Sequence, residues 1–215
     1  MSSYYPIFLN LKGRRCIVVG GGPVAERKVG MLLEHQASVT VISPTLSRRL
    51  QHLASQGAIQ TITRSYQTGD LKGAFLVIVA TDDPSINAAV AGQGRKQRAL
   101  VNVVDDPRAS DFIVPSMVRR GDITIAISTA GKSPALARKL RSLLEATIPA
   151  EYASLVSLVS EVRQELAQRQ SSVNSDVWQR CLDIDILVDM IKKGQLEKAR
   201  QKLIDDLLTA DSRIR

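Results

Sequence analysis

From Arg14 to Val104 short, β-branched apolar runs alternate with segments of helical period, the rhythm of a parallel sheet wound by crossover helices. Residues 15–19 (RCIVV), 39–42 and 59–63 read as the first three strands, with helices predicted over 24–35 and 46–56. Residues 74–80 (AFLVIVA) are apolar nearly throughout, as expected of a central parallel strand covered on both faces. A helix over 84–97 and a strand over 100–104 close the sheet. The rhythm then breaks: 112–118 and 123–128 flank the polar Arg119-Arg120-Gly121-Asp122 and predict an antiparallel hairpin. Ser133-Pro134 starts a helix well, because Ser caps free amides and Pro at the first helical position loses no needed hydrogen bond; the helix should end near Ile148. Beyond it, Leu155, Leu158, Val159, Val162 and Leu166 share one helical face, as do Val177, Cys181, Leu182, Ile184, Leu187 and Ile191. A last stripe of Leu196, Ala199, Leu203 and Leu207 completes a tail predicted to pack three helices, with 168–174 as a loop between two of them. The fold class is α/β with an all-α C-terminal part.

Composition narrows the function classes. With 44% apolar and 23% charged residues the 215-residue chain is globular, and 4% aromatics give no stacking surface for single-stranded nucleic acid. A net charge of +8 and a pI of about 9.8 suit an acidic ligand, be it nucleic acid, an anionic membrane or a polycarboxylate. The cations are scattered through helices instead of forming a block, which disfavours a nucleic-acid-binding tail. Cys16 and Cys181 are far apart and form no disulfide framework or CxxC zinc site. The N-terminus carries no secretory pattern and no apolar run approaches bilayer length, so a cytoplasmic protein with no membrane partner is expected.

VGGGPVA at 19–25 follows a strand and opens a helix, giving G-x-G-x-x-A in its required context. Gly20 lets the chain turn, Gly22 removes a side chain where pyrophosphate approaches, Ala25 permits close helix packing, and the helix N-terminus offers amides to phosphate. The usual ribose-binding acid is missing: the second strand ends Ile42-Ser43-Pro44-Thr45. NAD and NADP both remain open on these residues, since Arg48 and Arg49 could reach a 2′-phosphate or merely cover a helix face.

Two acidic clusters, TDDP at 81–84 and DDP at 105–107, follow the fourth and fifth strands, the edge where doubly wound sheets bind ligands. Asp83 is expected to cap the helix at Pro84 and Asp106 to hold a turn before Pro107, which leaves Asp82 and Asp105. Asp105 is the candidate acid/base, because sending a hydride to nicotinamide also releases a proton that a carboxylate can accept. His35 and His52 sit in helices and are not expected in catalysis; no His pair or Cys cluster suggests a structural metal. Residues 128–141 (STAGKSPALARKLR) combine hydroxyls, a flexible Gly and four cations at a helix start, a pattern that suits carboxylates or a solvated helix face. A non-enzymatic nucleotide sensor and a basic nucleic-acid module using the helical tail are the competing classes.

Four longer motifs, YPIFLNLKGRRCIVVGGGPVAERK at 5–28, VNVVDDP at 101–107, FIVPSMVRRGDITIAIST at 112–129 and AGKSPALARKLR at 130–141, go further. Through them the chain resembles the precorrin-2 dehydrogenase and sirohydrochlorin ferrochelatase family of sirohaem synthesis. The resemblance implies NAD-dependent oxidation of precorrin-2 to sirohydrochlorin and, in many relatives, insertion of ferrous iron, a substrate, to give sirohaem. It implies a Rossmann domain over 1–113, a dimerisation segment over 114–149 and a helical domain over 150–215, hence a homodimer. It puts catalysis on Asp105 and nucleotide contacts on Gly20, Gly22, Pro23, Val24, Ser43, Pro44, Thr45 and Thr81. Asn102, Ser128, Thr129, Lys132 and Arg138 are the implied contacts to an anionic tetrapyrrole, which explains the positive charge without nucleic acid. A chain ending at Arg215 is expected to lack the methyltransferase domain that some sirohaem synthases append.

Overall fold

The computed structural model describes residues 4–169 and 173–212, which contacts divide between Val114 and Pro115 into two compact units. In the first, β1 (Arg15–Val19), β2 (Ser38–Ile42), β3 (Gln60–Ile62), β4 (Leu76–Val79) and β5 (Leu100–Val103) form one parallel sheet in the order β3-β2-β1-β4-β5. The helices α1 (Pro23–Glu34), α2 (Arg48–Ser55) and α3 (Pro84–Lys96) connect them. Because strand side chains alternate, the inner strands feed two cores. Cys16, Val18, Val39, Val41, Leu76 and Ile78 pack with Ala25, Val29 and Leu32 of α1 and Leu50 of α2. Ile17, Val19, Ile42, Val77, Val79, Val101 and Val103 pack on the opposite face with Val90 and Ala91 of α3. This is the doubly wound arrangement that the sequence predicts. The chain leaves β1 toward β2 on one side and returns through β4 on the other, so the loops after β1 and β4 open the crevice that such sheets use for ligands.

The second unit begins with the hairpin of β6 (Ser116–Arg120) and β7 (Ile123–Ile127). Its first strand is shifted from the expected 112–118. Pro115 has no N–H to give to a strand ladder, so the strand starts after it, and Phe112 packs against the first core instead. The turn narrows to Gly121-Asp122 with Gly121 at φ 57°, the glycine-first geometry of a two-residue hairpin loop. α4 (Pro134–Thr147) is capped by Ser133, whose Oγ accepts from Leu136 N at 3.2 Å.

The tail holds four described helices where three were expected: α5 (Tyr152–Gln168), α6 (Ser175–Cys181), α7 (Ile184–Lys192) and α8 (Leu196–Ser212). The stripe from Val177 to Ile191 is broken at Leu182-Asp183, where Asp183 leaves helical geometry and caps the next helix by accepting from Ile186 N at 3.2 Å. Leu158, Val162, Val177, Leu187, Leu203, Ile204 and Leu207 form the buried centre of this bundle. Of the expected loop at 168–174, residues 170–172 lie outside the described residues.

Candidate functional site

The crevice is built from glycines that do different jobs. Gly20 sits at φ 122° and donates to Ile42 O at 2.9 Å; a Cβ there would lie 2.1 Å from Ala80 O, so the end of β4 requires glycine. Gly21, to which the sequence reading gave no role, has the same need: a Cβ would lie 1.9 Å from Thr45 O, and Ser47 N donates to Gly21 O at 2.9 Å. Gly22 is the N-cap of α1 and has no side-chain cap bond, and a Cβ there would meet nothing within 4 Å. An open, uncapped helix N-terminus beside a glycine turn has the shape and partial charge to hold a pyrophosphate, with Pro23 and Val24 opening the helix and Ala25 fully buried behind them. The residues therefore fit a dinucleotide.

Ser43 ends the next strand buried, and its hydroxyl donates to Thr45 O at 2.7 Å. That bond shapes the loop, leaving Pro44 and Thr45 as its exposed residues. Ser47 caps α2 and also donates to Glu26 Oε2 at 2.7 Å, so the first turn of α1 is tied to the loop after β2. After β4, Thr81 Oγ1 accepts from Asp83 N at 3.1 Å and bonds Asn87 Oδ1 at 3.0 Å. Asp83 caps α3 as expected, accepting from Ser85 N at 2.8 Å; the Ser85 hydroxyl and the first-turn amides hold its carboxyl below the usual range.

The two aspartates after β5 divide as the sequence suggested. Asp106 holds the turn, accepting from Arg108 N at 3.0 Å and Ala109 N at 3.1 Å. Asp105 is exposed, sits at φ 61° in the left-handed region, and its carboxylate takes no hydrogen bond from the described residues. A non-glycine residue held there is uncommon, and Asp is among the residues that tolerate it. Sequence reasoning missed Lys28. It lies on the same α1 stripe as the buried Ala25, Val29 and Leu32, and burial lowers its proton affinity, Arg27 lowers it further and Asp105 raises it. A cation inside a core-facing i, i+3, i+4 pattern was the available signal.

Asn102 is buried within β5 and its Nδ2 donates to Phe112 O at 2.9 Å, so its amide braces the segment along the sheet edge. In the second unit, Thr129 Oγ1 accepts from Ser133 N and bonds Ser133 O, both at 3.1 Å, and Ser128 Oγ accepts from Ala130 N at 3.0 Å. Ala130 at φ 50° and Gly131 at φ 80° carry the loop to the start of α4, where exposed Lys132 and Arg138 make no ion pair with the described residues. Thus the first unit gathers Gly20, Gly22, Pro23, Val24, Ser43, Pro44, Thr45, Thr81 and Asp105 at strand ends of one sheet. The second gathers Ser128, Thr129, Lys132 and Arg138 around one helix start. No trio of His, Cys, Asp or Glu fit to hold a metal occurs among the described residues, and no described helix is long and apolar enough to cross a membrane.

Comparison with known proteins finds likeness in both units. A family model for NAD(P)-binding proteins matches residues 7–116, and one for the central part of sirohaem biosynthesis proteins matches residues 120–147. The siroheme synthase of Nitrosococcus oceani is 42% identical over 202 residues, and that of Thioalkalivibrio sulfidiphilus 41% identical over 202; each alignment covers 93% of this chain. The chain spans less than half of these relatives, 43% and 41% of their lengths. Among solved structures, SirC, a precorrin-2 dehydrogenase, superposes with a TM-score of 0.74 at 26% identity, covering 93% of this chain and 98% of that one. Matched over more than half of its length by that first model, the chain belongs to the NAD(P)-binding family, and the segment that follows is similar to the central part of sirohaem biosynthesis proteins.

Proposed function

We propose that this chain oxidises precorrin-2 to sirohydrochlorin with NAD, and that it also inserts ferrous iron into the product to give sirohaem. The observation that carries the reading is Asp105: of the two aspartates after β5, it is the one whose carboxylate accepts no hydrogen bond from the described residues, held in a left-handed conformation just past the end of the strand, with Lys28 as a nearby charge. Bound NAD would accept the hydride. The protein's residues do the rest. Gly20 and Gly21 shape the turn, Gly22, Pro23 and Val24 present the helix start to pyrophosphate, and Pro44, Thr45 and Thr81 border the crevice on either side. Asp105 takes the proton that must leave the substrate as the hydride departs, so oxidation yields one reduced cofactor and one proton per double bond formed. In chelation the same carboxylate would receive pyrrole protons displaced by the entering iron. Ser128, Thr129, Lys132 and Arg138 are the proposed contacts for carboxylates of the tetrapyrrole, with Asn102 bracing the strand that carries Asp105.

A homodimer built on residues 114–149, with 150–215 as a separate helical domain, completes the proposal. Leu136, Leu140 and Leu143 support it: they form an exposed stripe along α4, an unusual outlay of large apolar side chains on a surface helix. A cytoplasmic location suits an NAD-dependent step. The deciding experiment is anaerobic turnover of precorrin-2 with NAD by the wild type and Asp105→Ala, followed by NADH absorbance and the tetrapyrrole spectrum, then by iron uptake into sirohydrochlorin. Stoichiometric NADH and sirohydrochlorin, lost in the variant, are expected. A folded, NAD-binding wild type without turnover would point to a nucleotide sensor, and iron uptake untouched by Asp105→Ala would remove Asp105 from chelation.

A further inference from the structure

We propose that Glu26 sets the choice between NAD and NADP, supplying from the first helix the negative charge that β2 does not provide at its end. The inference rests on the dinucleotide reading of the glycine loop. In doubly wound sheets the adenosine ribose meets the end of the second strand, where an acid accepts from its 2′-hydroxyl and repels a 2′-phosphate. Here β2 is followed by Ser43, Pro44 and Thr45, and the Ser43 hydroxyl is already donated to Thr45 O at 2.7 Å. The loop is drawn onto the glycine turn by the Ser47 N bond to Gly21 O at 2.9 Å.

Into this closed arrangement α1 sends one carboxylate. Glu26 Oε2 accepts from Ser47 Oγ at 2.7 Å, and Glu26 Oε1 lies 3.9 Å from Arg49 Nη1. The Glu26 side chain is 27% exposed and thus partly sheltered, whereas Arg49 is 71% exposed at the start of α2. Arg49 is the cation that would otherwise greet a 2′-phosphate. Glu26 pairs with it at 3.9 Å and places a like charge against any phosphate that approaches, while the uncharged 2′-hydroxyl of NAD meets no repulsion. Specificity at this edge then comes from a repulsive element that NADP alone encounters.

The test is equilibrium binding of NAD and NADP to the full chain by calorimetry. Wild type should prefer NAD. Glu26→Gln, which keeps an acceptor for Ser47 but loses the charge, should shift the ratio of the two affinities toward NADP by about tenfold, mainly through tighter NADP binding. Adding Arg49→Ala to Glu26→Gln should erase that gain. Arg49→Glu, a surface change that leaves the Ser47 bond in place, should deepen the preference for NAD and serves if Glu26→Gln folds poorly. A wild type that prefers NADP, or an affinity ratio unmoved by Glu26→Gln and by Arg49→Glu, overturns the role of Glu26. A folded wild type that binds neither nucleotide overturns the dinucleotide reading itself.

Discussion

Gly20 and Gly22 share one loop and one sequence motif, yet the constraints on them come from opposite sides. Gly20 is required by the protein: its φ of 122° and the 2.1 Å approach of a virtual Cβ to Ala80 O leave no room for a side chain. Gly22 has ordinary backbone at φ −86° and open space around it, so nothing in the free protein forbids alanine. Gly20→Ala should therefore cost about 2–4 kcal/mol through strain and steric displacement, whereas Gly22→Ala should change stability by less than about 0.5 kcal/mol. The same Gly22→Ala should weaken NAD binding about tenfold or more, because the methyl group occupies the approach to the helix amides. Chemical denaturation and NAD calorimetry on both variants check this; an unfolded Gly22→Ala or an NAD affinity unchanged by it would sink the assignment. Roles that depend on neighbours in sequence were legible. Asp83 before Pro84 reads as a cap and Asp106 before Pro107 as a turn, and both act so. Gly21, Glu26 and Lys28 were not legible, because their partners Thr45, Ser47 and Asp105 reach them only after the sheet has formed.

At the scale of elements, the parallel sheet was readable because β1, β2 and β4 bury apolar residues on both faces and three of the connections carry a helical period, two signals that agree. Errors arose where a single residue overrides the pattern: Pro115 delays β6, and Asp183 splits one apolar stripe into α6 and α7. α4 presents the reverse case, an element whose pattern is clear and whose exposure is not explained within its own unit. Ala137 is buried on its inner side while Leu136, Leu140 and Leu143 are 51%, 38% and 53% exposed. Arg120 secures the helix end from the hairpin, donating from Nε to Ile148 O at 2.8 Å and from Nη2 to Glu145 O at 2.9 Å, so the stripe is held on a fixed support. If two copies meet on this stripe, Leu140→Glu should convert a dimer to a monomer, while the exposed position keeps the change in monomer stability within about 0.5 kcal/mol. Sedimentation of wild type and variant decides it: a wild type that sediments as a monomer, or a variant that stays dimeric, removes α4 as the interface.

Across the whole molecule the positive charge is unevenly spread. Residues 1–149 carry 19 Lys and Arg against 10 Asp and Glu, whereas residues 150–215 carry 10 against 11. The basic excess thus belongs to the sheet, hairpin and α4, and the helical tail is close to neutral, which removes the electrostatic footing for nucleic-acid binding through that tail. A polycarboxylate ligand would instead be attracted by the part of the chain that holds the glycine loop, Asp105 and the cations after Ser128. Such attraction is long-ranged at low ionic strength, where the screening length is about 30 Å at 0.01 M, and short-ranged at about 8 Å in 0.15 M salt. NAD carries far less charge and would be gripped by backbone amides at close quarters, so it should feel the change less. Raising salt over this range should increase KM for precorrin-2, the proposed substrate, on the order of tenfold, and leave KM for NAD within about threefold. Steady-state turnover at both salt concentrations, with a neutral osmolyte as control, separates the cases: equal responses of the two substrates would mean that the basic excess does not guide the tetrapyrrole, and its role would have to be sought in a different acidic partner.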